Sequence, residues 1–124
     1  MLPKSFKILL AVFGVLFLVG ALILRPVPIV AEEDAIVESG IVHRVYEGGE
    51  KDLVIMFRDD HRRFYINRGL ENGLDLGEMQ EKLVGNKVTV KYPKYWTPLD
   101  WNNDIRHISK LEMRQHVFFN ELKS

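Results

Sequence analysis

IVESGIVHRVY, residues Ile36 to Tyr46, is the stretch on which the fold turns. Valine and isoleucine fill it, and their stiff β-branched side chains favour extended backbone. Gly40 interrupts it, and a glycine inside a strand marks a bulge or a sharp coil. The segment ends at Glu47-Gly48-Gly49-Glu50, a hairpin-type turn rather than a phosphate loop. A long first strand bent in its middle predicts a sheet that curls.

Downstream, Asp52–Arg58 (DLVIMFR) and Arg62–Asn67 (RRFYIN) flank the turn-forming residues Asp59-Asp60-His61, which predicts a hairpin. A single helix follows. Asp75 stands at its N-cap with Glu78 at capping-box spacing, Leu76, Met79 and Leu83 make one apolar stripe, and Gly85-Asn86 closes it. Lys87–Tyr92 (KVTVKY) alternates as a strand. After an irregular stretch, Pro93 to Asp104, come a strand over Ile105–Met113 and a short one around Val117–Asn120.

Three strands, one helix, then two or three strands is an order that resembles the OB-fold, a small Greek-key barrel with its helix between strands three and four. The resemblance spans about Val37 to Met113 and rests on element order, Gly40 and the helix position. The expected fold class is therefore mainly β, with five to six strands closed into an OB-like barrel behind an N-terminal transmembrane helix. The stretches RVYEGGEKD, FYINRGLENGL, YPKYWTPLDW and HISKLE are also similar to those of small membrane-anchored proteins of bacteria, Bacteroidetes in particular. That likeness implies a bacterial origin and no particular chemistry.

Ahead of this domain, Ile8 to Leu24 carries no charged or strongly polar side chain, only Leu, Val, Ile, Phe and Ala diluted by Gly14 and Gly20. As a helix it rises to about 25 Å, and flanking residues make up the rest of a bilayer core of about 30 Å. Without a polar face it does not suit a soluble core. Two readings stay open: a retained anchor, which the length favours, and a cleaved signal peptide, for which Val19-Gly20-Ala21 and Ile29-Val30-Ala31 are poor cleavage sites. Lys4 and Lys7 precede the run, whereas Arg25 alone follows it before Glu32-Glu33-Asp34. The positive-inside rule then puts the N-terminus in the cytoplasm and the domain beyond the cytoplasmic membrane. The expected organisation is a tail over 1–7, a transmembrane helix over 8–24, a proline-stiffened spacer over 25–34 and a domain over 35–124.

The zero formal net charge hides an asymmetry. Lys4, Lys7 and Arg25 are the only charges before Glu32, so the remainder has a slight acidic excess. Nucleic-acid affinity comes largely from neutralising phosphates, and the basic excess this requires is missing. Cysteine is absent, which excludes disulfides, thiol catalysis, cysteine metal sites and a lipoprotein anchor. Its absence, with that of any Asn-x-Ser/Thr acceptor, fits a bacterial envelope better than a eukaryotic secretory route.

Binding residues are sought where OB-like barrels carry them, across strands two and three and the flanking loops. The Pro93–Asp104 stretch holds Tyr95, Trp96 and Trp101 beside Asp100, Asn102 and Asn103. Irregular stretches of this length are often functional, and aromatics beside Asp and Asn suit a glycan or a peptide. The other reading makes Trp96 and Trp101 a lid over the barrel. At the end of strand three, alternation places Phe64 and Ile66 inward and Tyr65 and Asn67 outward. Arg68 beside them suits either a carboxylate or phosphate clamp or pairing with Glu71 or Asp75. His43, His61, His107 and His116 fall on different elements without ligand spacing, no serine sits in a nucleophile elbow, and adjacent acids point apart. The expected protein is a non-enzymatic, cofactor-free binding module tethered to the membrane, with an envelope protein, peptide or glycan as partner. The alternative is a structural subunit of an envelope complex.

Overall fold

β1, Ile36–Glu47, serves two partners along its length. Ile36 to Ile41 pair antiparallel with β4 (Lys87–Tyr92), and Val42 to Glu47 pair with β2 (Leu53–Phe57). The handover falls at a register shift between Val42 and Arg44, a bulge at His43 that bends the strand. Gly40 has a different task from the bulge expected there. A Cβ at this position would lie 2.9 Å from the Phe57 ring, so the glycine gives that ring its place across the strand. The structure, a computed structural model, describes residues 2–123; Met1 and Ser124, the outer ends of the expected tail and domain, lie outside them.

β3 (Arg63–Ile66) pairs with β2, and β5 (Ile105–His107) runs parallel to β3. β6 (Lys110–Met113) pairs with β4, and β7 (His116–Asn120) with β6. The strand order is β5-β3-β2-β1-β4-β6-β7. Two expectations are corrected here: the sheet has seven strands rather than five or six, and it is not a closed barrel. The expected single strand over Ile105–Met113 is split at Ile108-Ser109. The Ile108 N–H donates to Tyr65 O on β3 at 2.7 Å, and the next N–H, of Ser109, donates to Lys91 O on β4 at 2.7 Å. A chain that changes partner between consecutive amides cannot continue one regular ladder.

α2, Leu76–Leu83, lies between β3 and β4 in the chain, where the capping pattern placed it. The Asp75 carboxylate accepts the Glu78 N–H at 2.8 Å, and Gly85 leaves the helix at φ +82°. Its stripe buries Met79 and Leu83 in the same core cluster as Val42, Val45, Leu53, Phe64 and Val90. The Gln80 amide donates to Val45 O at 2.9 Å and the Gly85 N–H to Val42 O at 2.8 Å, which ties the helix to the bulged part of β1.

The apolar N-terminal segment is a helix, α1, over Lys4–Leu24. It starts before the uncharged run and takes in Lys4 and Lys7, so most of the expected tail is helical. Its 21 residues reach about 30 Å, and none is buried against the domain. Among the described residues it is one helix long and apolar enough to cross a membrane. The spacer that follows is laid along the domain: the Lys123 N–H donates to Val30 O at 2.9 Å, and Glu32 accepts from Lys91 and Lys110.

Candidate functional site

Strand registers bring four outward side chains into one transverse row. Tyr46 on β1 stands opposite Val54 on β2, Val54 opposite Tyr65 on β3, and Tyr65 opposite His107 on β5. Directly paired residues share a face, and positions two apart on a strand repeat it. Arg63 and Ile105 therefore form a second row beside the first. Phe64 and Ile66 are fully buried in the core, as alternation requires, with Tyr65 and Asn67 on the outer face.

Above these rows lies a groove of about 390 Å³, lined by Tyr46, Gly48, Asp52, Arg63, Tyr65 and Asn67, with Val54 and Ile105 in contact. The β1–β2 turn forms one wall. Gly48 makes its approach possible, because a Cβ there would lie 2.7 Å from Val54. The turn closes through the Gly48 N–H donating to Asp52 O at 2.9 Å, with Glu50 and Lys51 both at positive φ.

Tyr65 is the pivot of this surface. It packs edge-on to His107, with ring centroids 5.3 Å apart, and it also lines two neighbouring hollows toward Tyr95 and toward Pro26. Burial, followed by the field of Asp52, raises its pKa above the ordinary tyrosine value of 10.0. The phenol is therefore protonated at neutral pH and able to donate. Among the described residues, the Tyr65 hydroxyl, the Asn67 amide and the Arg63 guanidinium make no side-chain hydrogen bond. The groove thus offers two aromatic rings and uncommitted donors and acceptors. Asp52 contributes a carboxylate already anchored by accepting the Arg68 N–H at 2.8 Å.

The other sequence-derived candidates separate from it. Arg68 does not line the groove; its guanidinium lies 3.8 Å from Glu50 and 3.7 Å from Glu71, so the pairing alternative describes it better than the clamp. Asp100 is committed to its own loop, accepting the N–H groups of Asp104 and Ile105 at 2.9 Å each. Trp96 and Trp101 meet edge-to-face at 5.1 Å, and the Trp96 indole donates to Trp101 O at 3.2 Å. Trp96 is half-buried beside Tyr95 and Arg25, whereas Trp101 is 71% exposed and covers no core.

Compared with family models, curated proteins and solved structures, the chain matches none. Its site is therefore read from its own chemistry. His107 contacts Glu121, and His61 lies 2.8 Å from Asp104. Among the described residues no three His, Asp or Glu side chains converge to hold a metal.

Sequence reasoning passed over Tyr46, Asp52, Arg63 and Ile105. The i, i+2 spacing of Arg44 with Tyr46, and of Arg63 with Tyr65, was a signal that each strand carries a cation and an aromatic on one face. What periodicity lacks is register, and only register shows that the two tyrosines flank the same valine.

Proposed function

We propose that this chain is a non-enzymatic binding module, tethered by α1 to the cytoplasmic membrane and displayed on its outer side. Its ligand-binding surface is the β1–β2–β3–β5 face, and a glycan or an extended peptide of the envelope is the favoured ligand. The observation that carries this reading is the groove in which Tyr46 and Tyr65 lie beside Asp52, Arg63 and Asn67. Aromatic faces pack on the C–H surface of a sugar or on peptide side chains, while the polar groups fix orientation.

The OB-like reading of the fold supports the same choice of face. β5 lies beside β3 and β6 beside β4, so consecutive segments of the chain flank both sides of the β3-β2-β1-β4 order without closing the sheet. This neighbour order resembles that of OB-folds, whose ligands lie across strands two and three. The cations Lys4 and Lys7 in the first turns of α1, ahead of its uncharged run, favour an N-terminus held in the cytoplasm.

The test is ligand capture by the full chain in lipid nanodiscs on glycan and peptide arrays, followed by titration of any hit. Tyr65→Ala and Asn67→Ala are expected to weaken binding about tenfold or more each, since each loses roughly 1.4 kcal/mol or more of contact. Arg68→Ala is expected to leave it unchanged. Binding indifferent to Tyr65 and Asn67 would overturn the assignment of this face.

A further inference from the structure

The groove leaves unexplained why an exposed, aromatic loop is fastened to the end of the apolar helix. Arg25 is the first residue beyond α1, and its guanidinium donates to Trp96 O at 2.7 Å. The Tyr95 hydroxyl donates to Arg25 O at 2.7 Å, and the Arg25 guanidinium lies 4.7 Å from the Tyr95 ring centroid. The loop is thus held where the chain leaves α1.

From that anchored base the loop presents Leu99, 73% exposed, and Trp101, 71% exposed. A soluble surface tolerates single exposed apolar residues, but these two stand beside Trp96 and Tyr95 in one short segment. Arg25, Lys94 and Arg106 line one hollow beneath it with Tyr95 and Trp96, and none of the three cations has a carboxylate partner among the described residues. Arg106 holds the loop from below, its guanidinium donating to Tyr95 O at 3.0 Å with its Nε buried. Tryptophan and tyrosine concentrate where hydrocarbon gives way to headgroups, and lysine and arginine favour anionic headgroups.

We propose that the Pro93–Asp104 loop is a membrane-docking element, with Leu99 and Trp101 seated in the headgroup layer of the bilayer that α1 crosses and with Arg25 and Lys94 facing its phosphates. The occupant of this surface is lipid. Docking fixes the domain's orientation and sets the Tyr65 groove beside the bilayer contact, since Tyr65 and Leu99 line one hollow. The inference rests on α1 being retained in the membrane, as in the function proposed above, but not on the identity of the groove's ligand.

The chain contains two tryptophans, and both are in this loop, so intrinsic emission reports on it alone. The experiment compares the full-length protein in nanodiscs of phosphatidylcholine and phosphatidylglycerol with and without acyl-chain bromination. Tryptophan emission is expected to be blue-shifted, and quenched several-fold more by bromines near the glycerol backbone than by bromines at the chain ends. Leu99→Glu keeps both indoles and alters an exposed side chain; it is expected to remove most of that quenching, with far-ultraviolet circular dichroism unchanged. Emission that bromination leaves unaltered, or quenching that Leu99→Glu leaves intact, would overturn the docking. Carbonate extraction separates the causes. Protein that resists extraction yet is unquenched sinks the docking alone, whereas release into the soluble fraction sinks the anchor and the docking together.

Discussion

The Tyr95 hydroxyl donates to the backbone carbonyl of Arg25 at 2.7 Å while the Arg25 guanidinium lies over the Tyr95 ring. The two residues are 70 positions apart, yet each holds the other. The consequence is geometric: Pro26 and Pro28 stiffen the spacer, and this pair fixes its first residue to the domain, while Lys123 binds it again at Val30. A tether secured at both ends transmits the position of α1 to the domain.

Arg25→Ala should loosen that attachment without unfolding the sheet. It removes the bond to Trp96 O and the cation–π contact, each worth about 0.5–1.5 kcal/mol at exposed sites. The readout is amide hydrogen exchange at Lys123, whose N–H donates to Val30 O. Exchange there is expected to accelerate up to about tenfold, the equivalent of about 1.4 kcal/mol, while the β4 amides keep their wild-type rates. Equal acceleration across β4 would mean that Arg25 supports the whole domain.

Gly40→Ala tests the close approach of the Phe57 ring to β1. The added Cβ would sit 2.9 Å from the ring of buried Phe57, which abuts Phe64 at 5.2 Å and has little room to turn. Overpacking of this kind costs about 1–3 kcal/mol. Thermal denaturation should show the midpoint falling by several degrees. The double variant Gly40→Ala with Phe57→Leu should recover part of the loss, because the smaller side chain vacates the site of collision.

Much of the architecture was legible because it depends on local patterns. Alternation in RFYIN separates Phe64 and Ile66 from Tyr65 and Asn67, and the Asp75–Glu78 spacing fixes where α2 begins. The apolar run announces α1 because nothing in it gives the helix a polar face. What stayed hidden is non-local. β5 pairs parallel with β3, although Ile105 lies 42 positions beyond its partner Arg63, and no turn chemistry encodes such a pairing. The split of Ile105–Met113 is equally silent, since Ile108 and Ser109 look like strand residues and differ only in where their N–H groups point. For the site, composition drew attention to the aromatic loop, whereas the groove is assembled by register from residues that look ordinary singly. For Arg68, pairing with nearby Glu71 was one of the two readings the sequence offered, whereas its approach to Glu50 in the β1–β2 turn was not legible there.

Trp101→Ala against Phe64→Ala separates surface from core. Trp101 projects from the domain, so its truncation is expected to change stability by no more than about 0.5 kcal/mol. Phe64 is fully buried between Phe57 and Tyr92, and its loss leaves a cavity costing about 3–5 kcal/mol. Urea denaturation measures both. A large loss for Trp101→Ala would restore the idea that the indole lids the core.

Acid should weaken the domain through two carboxylates outside the strands, Glu32 ahead of β1 and Asp60 in the β2–β3 turn. The Glu32 side chain accepts from Lys91 and Lys110, and these bonds, led by that from Lys91, lower its pKa from 4.5 to about 2. The guanidinium of Arg62 holds the Asp60 carboxyl below its ordinary value of 3.8, chiefly by hydrogen bonding. Both groups bind protons less readily in the folded state than in the unfolded chain. Their contribution is therefore complete above the ordinary carboxylate range and is lost as pH falls toward about 2, the folded value of Glu32. Urea midpoints measured at about pH 7, 4 and 2.5 should fall more steeply for the wild type than for Glu32→Gln or Asp60→Asn, with the three proteins converging at the acid end. The Glu32 pairs reach solvent, so high salt should shrink the difference between wild type and Glu32→Gln at neutral pH. Parallel acid profiles for all three proteins would show that other carboxylates govern the acid response.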